Sequence, residues 1–344
     1  MTLNDNQKRP LVIYHGKCFD GHTAAWVFRK FKGENCDFFA ADYGHPEKLP
    51  STQGRMVWLL DVSFDREVMK NQIIRPSLRT TVYDHHKTAE KNLDGILEEL
   101  RDEGLQRQAD KIVFDMSRSG AGITYDELEK EAGKKAGIHT PRYNGQRKQR
   151  LVDYIEDRDL WRWRWPKSQE VSAYISTVTM DFEHWDELGD LMSTDQGVQK
   201  VIEKGEAIQA YIDTFGEKVR AMAIWRKVGG FEVPVINTPY MNCSEHVGKL
   251  AEENPEAPFA VGYFVNAHGQ WQFSLRSRPN KDEPGGEQFD VSDIALQYGG
   301  GGHPGAAGFQ IDADCFLPWE SGEAEQGDDE EEMDPPDTEI DIDA

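Results

Sequence analysis

Positive charge is what this chain has least of: 39 Lys and Arg stand against 62 Asp and Glu in 344 residues, a formal net charge of -23. Binding a long duplex rests on neutralising many phosphates with cations, so a broad nucleic-acid surface is excluded and any nucleic acid handled must be short or held locally. Part of the imbalance is concentrated at the end, where Glu320 to Asp343 carries thirteen carboxylates and no Lys or Arg, leaving the rest near -10. Cysteine is equally sparse. Cys18, Cys36, Cys243 and Cys315 show neither paired zinc spacing nor the density of a disulfide framework, which suits a reducing compartment. No run approaches the roughly 20 apolar residues that cross a bilayer, and MTLNDNQKRP at the start lacks the apolar stretch of a secretory leader. The expectation is a cytoplasmic protein with no membrane partner.

What is present is a repeated strand, loop and helix. Leu11 to Tyr14 is a short apolar run, followed by the turn-like HGKCFDG and then by TAAWVFRKF, which has helical character. MVWLLDV (Met56 to Val62) reads as a buried strand ending in Asp61, with a helix around Arg66 to Gln72 after it. TTVYDHH (Thr80 to His86) reads as a third strand. Alternation of this kind predicts an α/β fold with a parallel sheet, and such sheets bind ligands at the carboxyl ends of their strands. His15, Asp20, Asp61, Asp84, His85 and His86 all fall at those ends. A later apolar stretch, LVDYIEDRDLW, adds Asp157 and Asp159.

The spacing predicts four parts. A parallel-sheet domain covers 1–167 and a helical connector 168–220. A smaller α+β domain covers 221–318, with strands at FEVPVIN, FAVGYFV and WQFSLRS, and a disordered acidic tail covers 319–344. Trp161, Trp163 and Trp165 alternate with Arg162 and Arg164. Such alternation can stack bases, but it is also the pattern of a half-buried strand, and the structural interpretation is favoured. Ser119, Gly120 and Ala121 are expected to begin a packed helix.

Three carboxylates and two imidazoles converging on one sheet edge can hold two divalent ions, with one carboxylate shared between them. In order and type the residues resemble the DHH phosphoesterase superfamily, which includes the RecJ exonuclease, nanoRNases, cyclic-dinucleotide phosphodiesterases and family II pyrophosphatases. The superfamily's first motif, D-x-D-G, stands here as Cys18-Phe19-Asp20-Gly21. Asp61 matches the second, Asp84-His85-His86 the third, and the carboxylates of IEDRDLW the fourth. The resemblance implies that Asp20, Asp61, His85 and either Asp159 or Asp157 ligate metal, Asp159 being preferred, with Asp61 bridging. Cys18 departs from the pattern, standing where many relatives have Asp. A thiol beside a metal is readily deprotonated, but the resulting thiolate suits softer ions, so zinc stays open at that position, and His15 could complete it.

The run Gly299 to Gly308, containing Gly301, Gly302 and His303, resembles the GGGHPxAAG signature of the substrate-binding domain that accompanies one branch of the superfamily. Without Cβ atoms its N–H groups can close on a phosphate. Arg276, in SLRS, matches that domain's usual arginine and is suited to a bidentate grip on phosphate, with Arg278 a weaker candidate.

Together these features predict a two-metal phosphodiesterase acting on short oligonucleotides or small (cyclic di)nucleotides by attack of a metal-bound hydroxide. Asp61, Asp84 and His86 are the catalytic candidates, His86 helping the leaving group. The expected cofactors are two manganese ions, with cobalt or magnesium as substitutes. A RecJ-like single-strand exonuclease would call for further nucleic-acid-binding domains, and Cys18 alone favours a catalytically reduced module that sequesters a nucleotide. The tail reads as solubilising in the first place, or as a partner-binding or nucleic-acid-mimicking segment, with Ile340 and Ile342 as small apolar anchors.

Overall fold

The computed structural model describes residues 8–42, 45–105, 107, 110–136, 149–278 and 288–312, and the acidic tail lies outside them. The first half alternates as expected: β1 (Leu11–His15), α1 (Phe19–Lys32), β2 (Asp37–Ala41), β3 (Met56–Leu60), α2 (Arg66–Val68), β4 (Arg79–Asp84), α3 (Lys87–Leu93), α4 (Ile96–Asp102), β5 (Lys111–Phe114), α5 (Gly120–Ala136) and α6 (Arg150–Asp159). The strands form a parallel sheet in the order β2-β1-β3-β4-β5. After β1 the chain pairs β2 on one side and then crosses to lay β3 on the other. The order therefore reverses between β1 and β3, where open α/β sheets place their ligands.

Alternate strand residues feed two cores, as period-two side chains must. Val12, Leu60 and Tyr83 face one side, where α1, α5 and α6 bury Trp26, Phe28, Ile123 and Ile155. Leu11, Ile13, Leu59 and Val82 face the other, against Met69, Ile73 and Leu100. The helix expected around Arg66 to Gln72 exists but is irregular, since α2 passes directly into a π-helical turn at Met69–Ile74.

The chain continues through α7 (Ser168–Ile175), α8 (Phe182–Leu191) and the 26-residue α9 (Asp195–Arg220). Val171, Trp185, Val198 and Ile202 on these helices join the first core, whereas Val219, at the far end of α9, joins a core of the second sheet. At 1.5 Å per residue α9 is about 39 Å long, enough to run from one sheet to the other. Its tight seam with α7 depends on Gly205, where a Cβ would stand 1.8 Å from the Glu170 carbonyl oxygen.

The remainder comprises β6 (Ile224–Val228), β7 (Phe231–Asn237), α10 (Cys243–Glu253), β8 (Phe259–Val265), β9 (Gln270–Ser277), α11 (Val291–Leu296), β10 (Gly301–His303) and β11 (Ala306–Asp312). They build a mixed sheet in the order β10-β11-β9-β8-β7-β6, antiparallel except for β7 beside β8. The three strands expected from sequence are present as β7, β8 and β9, and β6, α10, α11, β10 and β11 are additional. No helix among the described residues is long and apolar enough to cross a membrane.

Two expectations change. The Trp161 to Trp165 alternation is not a strand: Trp161 (φ 53°) and Trp163 (φ 51°) are left-handed, so the chain turns twice and the indoles meet edge to face at 4.9 Å. Trp161 instead packs on α10, filling the space a Cβ on Gly248 would occupy, 2.6 Å from Trp161 Cζ2. The glycine-rich run is not a simple turn either but a hairpin, β10 pairing with β11, in which Gly302 has φ 145° and a Cβ on Gly300 would lie 2.1 Å from the Gly308 carbonyl oxygen.

Candidate metal centre

The cluster is assembled by the turns that follow β1, β3 and β4. Asp61 is the first residue beyond β3. Its N–H still donates to the Tyr83 carbonyl at 2.8 Å, but its backbone is left-handed (φ 58°), which ends the strand and swings the carboxylate across the sheet edge. Aspartate tolerates this conformation better than most residues, though at some strain, of the kind found at functional sites. Oδ1 lies 3.1 Å from His85 Nε2 and Oδ2 3.3 Å from His15 Nδ1. Asp61 thus stands between two groups.

On one side are Asp20, Asp61 and His85, with ligand atoms within 4.8 Å of one another. Asp20, in the first turn of α1, is fixed by the N-terminus of α5: Gly120 N–H donates to its Oδ2 at 2.6 Å and Ala121 N–H to its Oδ1 at 3.0 Å. The Ser119 to Ala121 segment therefore begins a helix, as expected, and also positions a carboxylate. Asp159, at the end of α6, brings Oδ2 to 3.4 Å from His85 Nε2. On the other side of Asp61, His15 and Cys18 form a second group within the same 4.8 Å limit.

Asp157 is not brought to the cluster. It is buried, and its oxygens accept the N–H groups of Arg164 (2.9 Å) and Trp165 (3.1 Å), holding the tryptophan turn. Of the two alternatives left open by the sequence, only Asp159 faces His85.

Asp84 is wholly buried and acts inside its own motif. Oδ1 accepts from His85 N–H (2.7 Å) and His86 N–H (3.2 Å) and contacts His86 Nδ1 at 2.6 Å, while Ser63 Oγ donates to Oδ2 at 2.6 Å. Burial alone would raise its pKa, but the charge and hydrogen bond of His86 and the Ser63 bond outweigh that and hold it below the ordinary carboxylate value.

The electrostatics are those of a cation site. Burial, then the neighbouring carboxylates Asp61 and Asp159, push Asp20 well above the usual carboxylate range, and burial with Asp61 also raises Asp159. Desolvation opposes ionisation of Asp61 too, yet its bonds to His15 and His85 hold it well below. Asp159 Oδ2 and His85 Nδ1 are buried with no hydrogen-bond partner. Hard oxygen donors with one imidazole suit manganese or magnesium, whereas the His15–Cys18–Asp61 group mixes nitrogen, sulfur and oxygen and suits a softer ion. The residues present fit divalent metal on both sides of Asp61.

The second sheet reaches this edge through its hairpin. The His303 ring lies 4.4 Å from that of His85 and stacks on His86 at 4.6 Å. Desolvation, then the proximity of His86 and His85, keep its pKa well below the ordinary histidine value. Gly301 packs against Thr88 of α3, and Lys87, beside it, pairs with Asp290 at the start of α11. Arg276, on β9, donates to Ser244 Oγ at 2.6 Å and to the Leu275 carbonyl at 2.8 Å, and its Nε is buried with no partner. Arg278 is turned away, donating to the Pro255 carbonyl at 2.6 Å.

No protein-family model matches the chain. An uncharacterized protein of Acanthamoeba polyphaga mimivirus is 25% identical over 317 residues, covering 87% of this chain and 66% of that protein. The chain thus spans just under two thirds of that relative's length. Similar solved structures include a pGpG-specific phosphodiesterase, PggH, from Vibrio cholerae (13% identity, 89% of this chain and 94% of that one, TM-score 0.43). Another is the DHH domain of a member of a ribosomal-protein family (13%, 89% and 83%, TM-score 0.46). A third is RecJ from Thermus thermophilus in complex with Mn2+ (15%, 88% and 50%, TM-score 0.43).

Proposed function

We propose that this protein is a DHH-type phosphoesterase that uses two divalent ions to hydrolyse phosphodiester bonds in short oligonucleotides or small nucleotides. The observation that carries the proposal is the largely buried set Asp20, Asp61, His85 and Asp159, three carboxylates crowded round one imidazole, beside the His15–Cys18–Asp61 group. Like-charged carboxylates in a desolvated site are costly unless a cation binds among them. Bound there, divalent ions would neutralise phosphate charge and lower the pKa of an attacking water.

The chain's own residues take distinct roles in this scheme. Asp61 would be shared between the two metal positions, and Asp20 and Asp159 with His85 would complete one of them. Asp84 is a positioning residue: by engaging Nδ1 it fixes the tautomer and direction of His86, whose Nε2 is assigned the proton for the leaving oxygen. His303, kept neutral by its surroundings, can donate a hydrogen bond to a phosphate oxygen without adding a fixed charge. Arg276 grips a phosphate remote from the cluster. The division of labour places metal chemistry in residues 1–167 and substrate grip in 221–318, with 168–220 connecting them and the tail from 319 outside the reaction.

The test is metal-depleted protein incubated with manganese, cobalt, magnesium or zinc and a panel of 5′-phosphorylated dinucleotides, longer oligomers, cyclic dinucleotides and pyrophosphate. Manganese or cobalt should restore more activity than magnesium, since mixed imidazole and carboxylate ligands favour the later ions. Full turnover in excess chelator, or none on any substrate with any metal, would reject the proposal.

A further inference from the structure

Arg158 was not singled out by its position in the sequence, yet it stands on α6 immediately before Asp159, at the junction of the two sheets. Its guanidinium lies over the Phe19 ring, 5.4 Å from the centroid, next to Cys18 and Asp20 in the chain. It donates to Glu245 Oε1 on α10 at 2.7 Å, and the two side chains are only 27% and 20% exposed. The neighbouring residue, Ser244, accepts the bond from Arg276. An arginine on α6 and one on β9 therefore meet consecutive residues of α10, each within electrostatic reach of the other, of Glu245 and of Asp159. Cys18 is likewise within electrostatic reach of Arg158, and Cys243 of Arg276.

Arg158 takes up Glu245 in an ion pair, whereas Arg276 has no ion pair with a carboxylate among the described residues and its Nε is buried without an acceptor. A guanidinium that binds a carboxylate presents the same fork to a phosphate, and a phosphomonoester carries more charge than a carboxylate at neutral pH.

We propose that Arg158 is a second anion-gripping residue, which together with Arg276 takes a terminal phosphomonoester of the substrate, and that Glu245 holds the place of that phosphate until the substrate displaces it. This rests on the phosphodiesterase assignment above and narrows it: a linear nucleotide ending in a phosphate fits such a subsite, and a cyclic dinucleotide, which has no monoester, does not. Glu245 then acts as an internal competitor that weakens the grip on partial or weakly charged ligands.

The experiment uses the full chain in excess chelator, so that binding is read without turnover. A nucleoside 5′-monophosphate, the unphosphorylated nucleoside and inorganic phosphate are titrated calorimetrically. Removing the charge in Glu245→Gln should tighten the monophosphate several-fold, and Arg158→Gln should weaken it about tenfold, the scale of one charged hydrogen bond. Neither should alter the nucleoside. Arg158→Lys, which keeps the charge but loses the fork, should fall between wild type and Arg158→Gln and guards against a folding defect. With manganese added, Arg158→Gln should raise KM about tenfold for a 5′-phosphorylated dinucleotide at little cost in kcat, and leave the unphosphorylated dinucleotide unchanged. Equal monophosphate affinity in wild type, Glu245→Gln and Arg158→Gln would overturn the proposal, as would a shared fall in thermal midpoint with no change in ligand discrimination, which would mark a purely structural ion pair. Absence of any phosphodiester turnover would reject the parent assignment while the titration still judged Arg158.

Discussion

Replacing Gly120 by alanine should damage the cluster without altering any of its side chains. A Cβ at that position would stand 2.5 Å from Asp61 Cβ and 3.0 Å from both Asp61 Cα and Asp20 Oδ2. Gly120 cannot retreat cheaply, because its N–H holds Asp20 Oδ2 at 2.6 Å. Either the methyl is forced into a filled space, at about 1–3 kcal/mol, or the helix end moves and a hydrogen bond to a charged group weakens, at about 1.5–3 kcal/mol. The two are alternatives rather than a sum, so a loss of about 1–3 kcal/mol is expected, or about 2–4 °C of Tm for each kcal/mol in a domain of this size. The assay is thermal denaturation in chelator and again with manganese. The metal-free midpoint should fall, and the rise produced by manganese should shrink as well, since each tenfold loss of affinity removes about 1.4 kcal/mol of ligand stabilisation. An unchanged midpoint in chelator together with an undiminished manganese-induced rise would refute the reasoning, because Asp61 and Asp20 would then not be packed against Gly120 as described.

Asp61→Asn, which keeps the shape and tolerates the left-handed backbone, should lose more than about a hundredfold in rate, because in the proposed scheme both metal positions would share that carboxylate; near wild-type turnover would show that the bridge is elsewhere. Asp157→Ala should lower stability by about 1.5–3 kcal/mol per charged hydrogen bond lost while leaving manganese stoichiometry at the wild-type value. Asp159→Asn should do the reverse, binding less manganese yet melting no lower than wild type in chelator, since it removes one of several crowded buried charges; metal analysis and melting curves on the pair test both. Arg276→Ala should weaken a phosphorylated substrate by about 1.5–3 kcal/mol with unchanged metal content, and an unaltered KM on every substrate tried would remove it from the site.

Much of the sheet was legible because burial on both faces leaves a plain signature. LVIYH, MVWLL and TTVYD have apolar centres, and His15, Asp61 and Asp84, at or just beyond their ends, are side chains of the cluster. Asp157 and Asp159 were not separable by the same means. They lie two residues apart on α6, a spacing that points to different sides of a helix, and only the packed structure shows which side meets His85 and which meets the tryptophan turn. The tryptophan alternation misled because a period of two also arises when left-handed residues reverse the chain at every second position. Arg158 was invisible for a different reason. Its partner Glu245 comes from another sheet's helix, and nothing local distinguishes such an arginine from a solvated one. The amphipathic spacing of CSEHVGKLAEE, with Cys243, Val247 and Ala251 buried, was readable as a helix and would have placed Glu245 near a first turn.

The cluster draws its members from unequal distances along the chain, and folding must register that. Asp20, Asp61, His85 and Asp159 all belong to segments packed on the first sheet, while His303 arrives only once the last hairpin has closed over α3. Synthesis runs from the N-terminus, so residues 20 to 159 are made before Arg276 and His303 exist. A nascent chain would therefore acquire its capacity for metal before it acquires a closed cleft. During that interval the ions would meet water and bulk anions without the second sheet's histidine and arginine to select among them. With the roles proposed above, the order of synthesis would separate loading from selection in time.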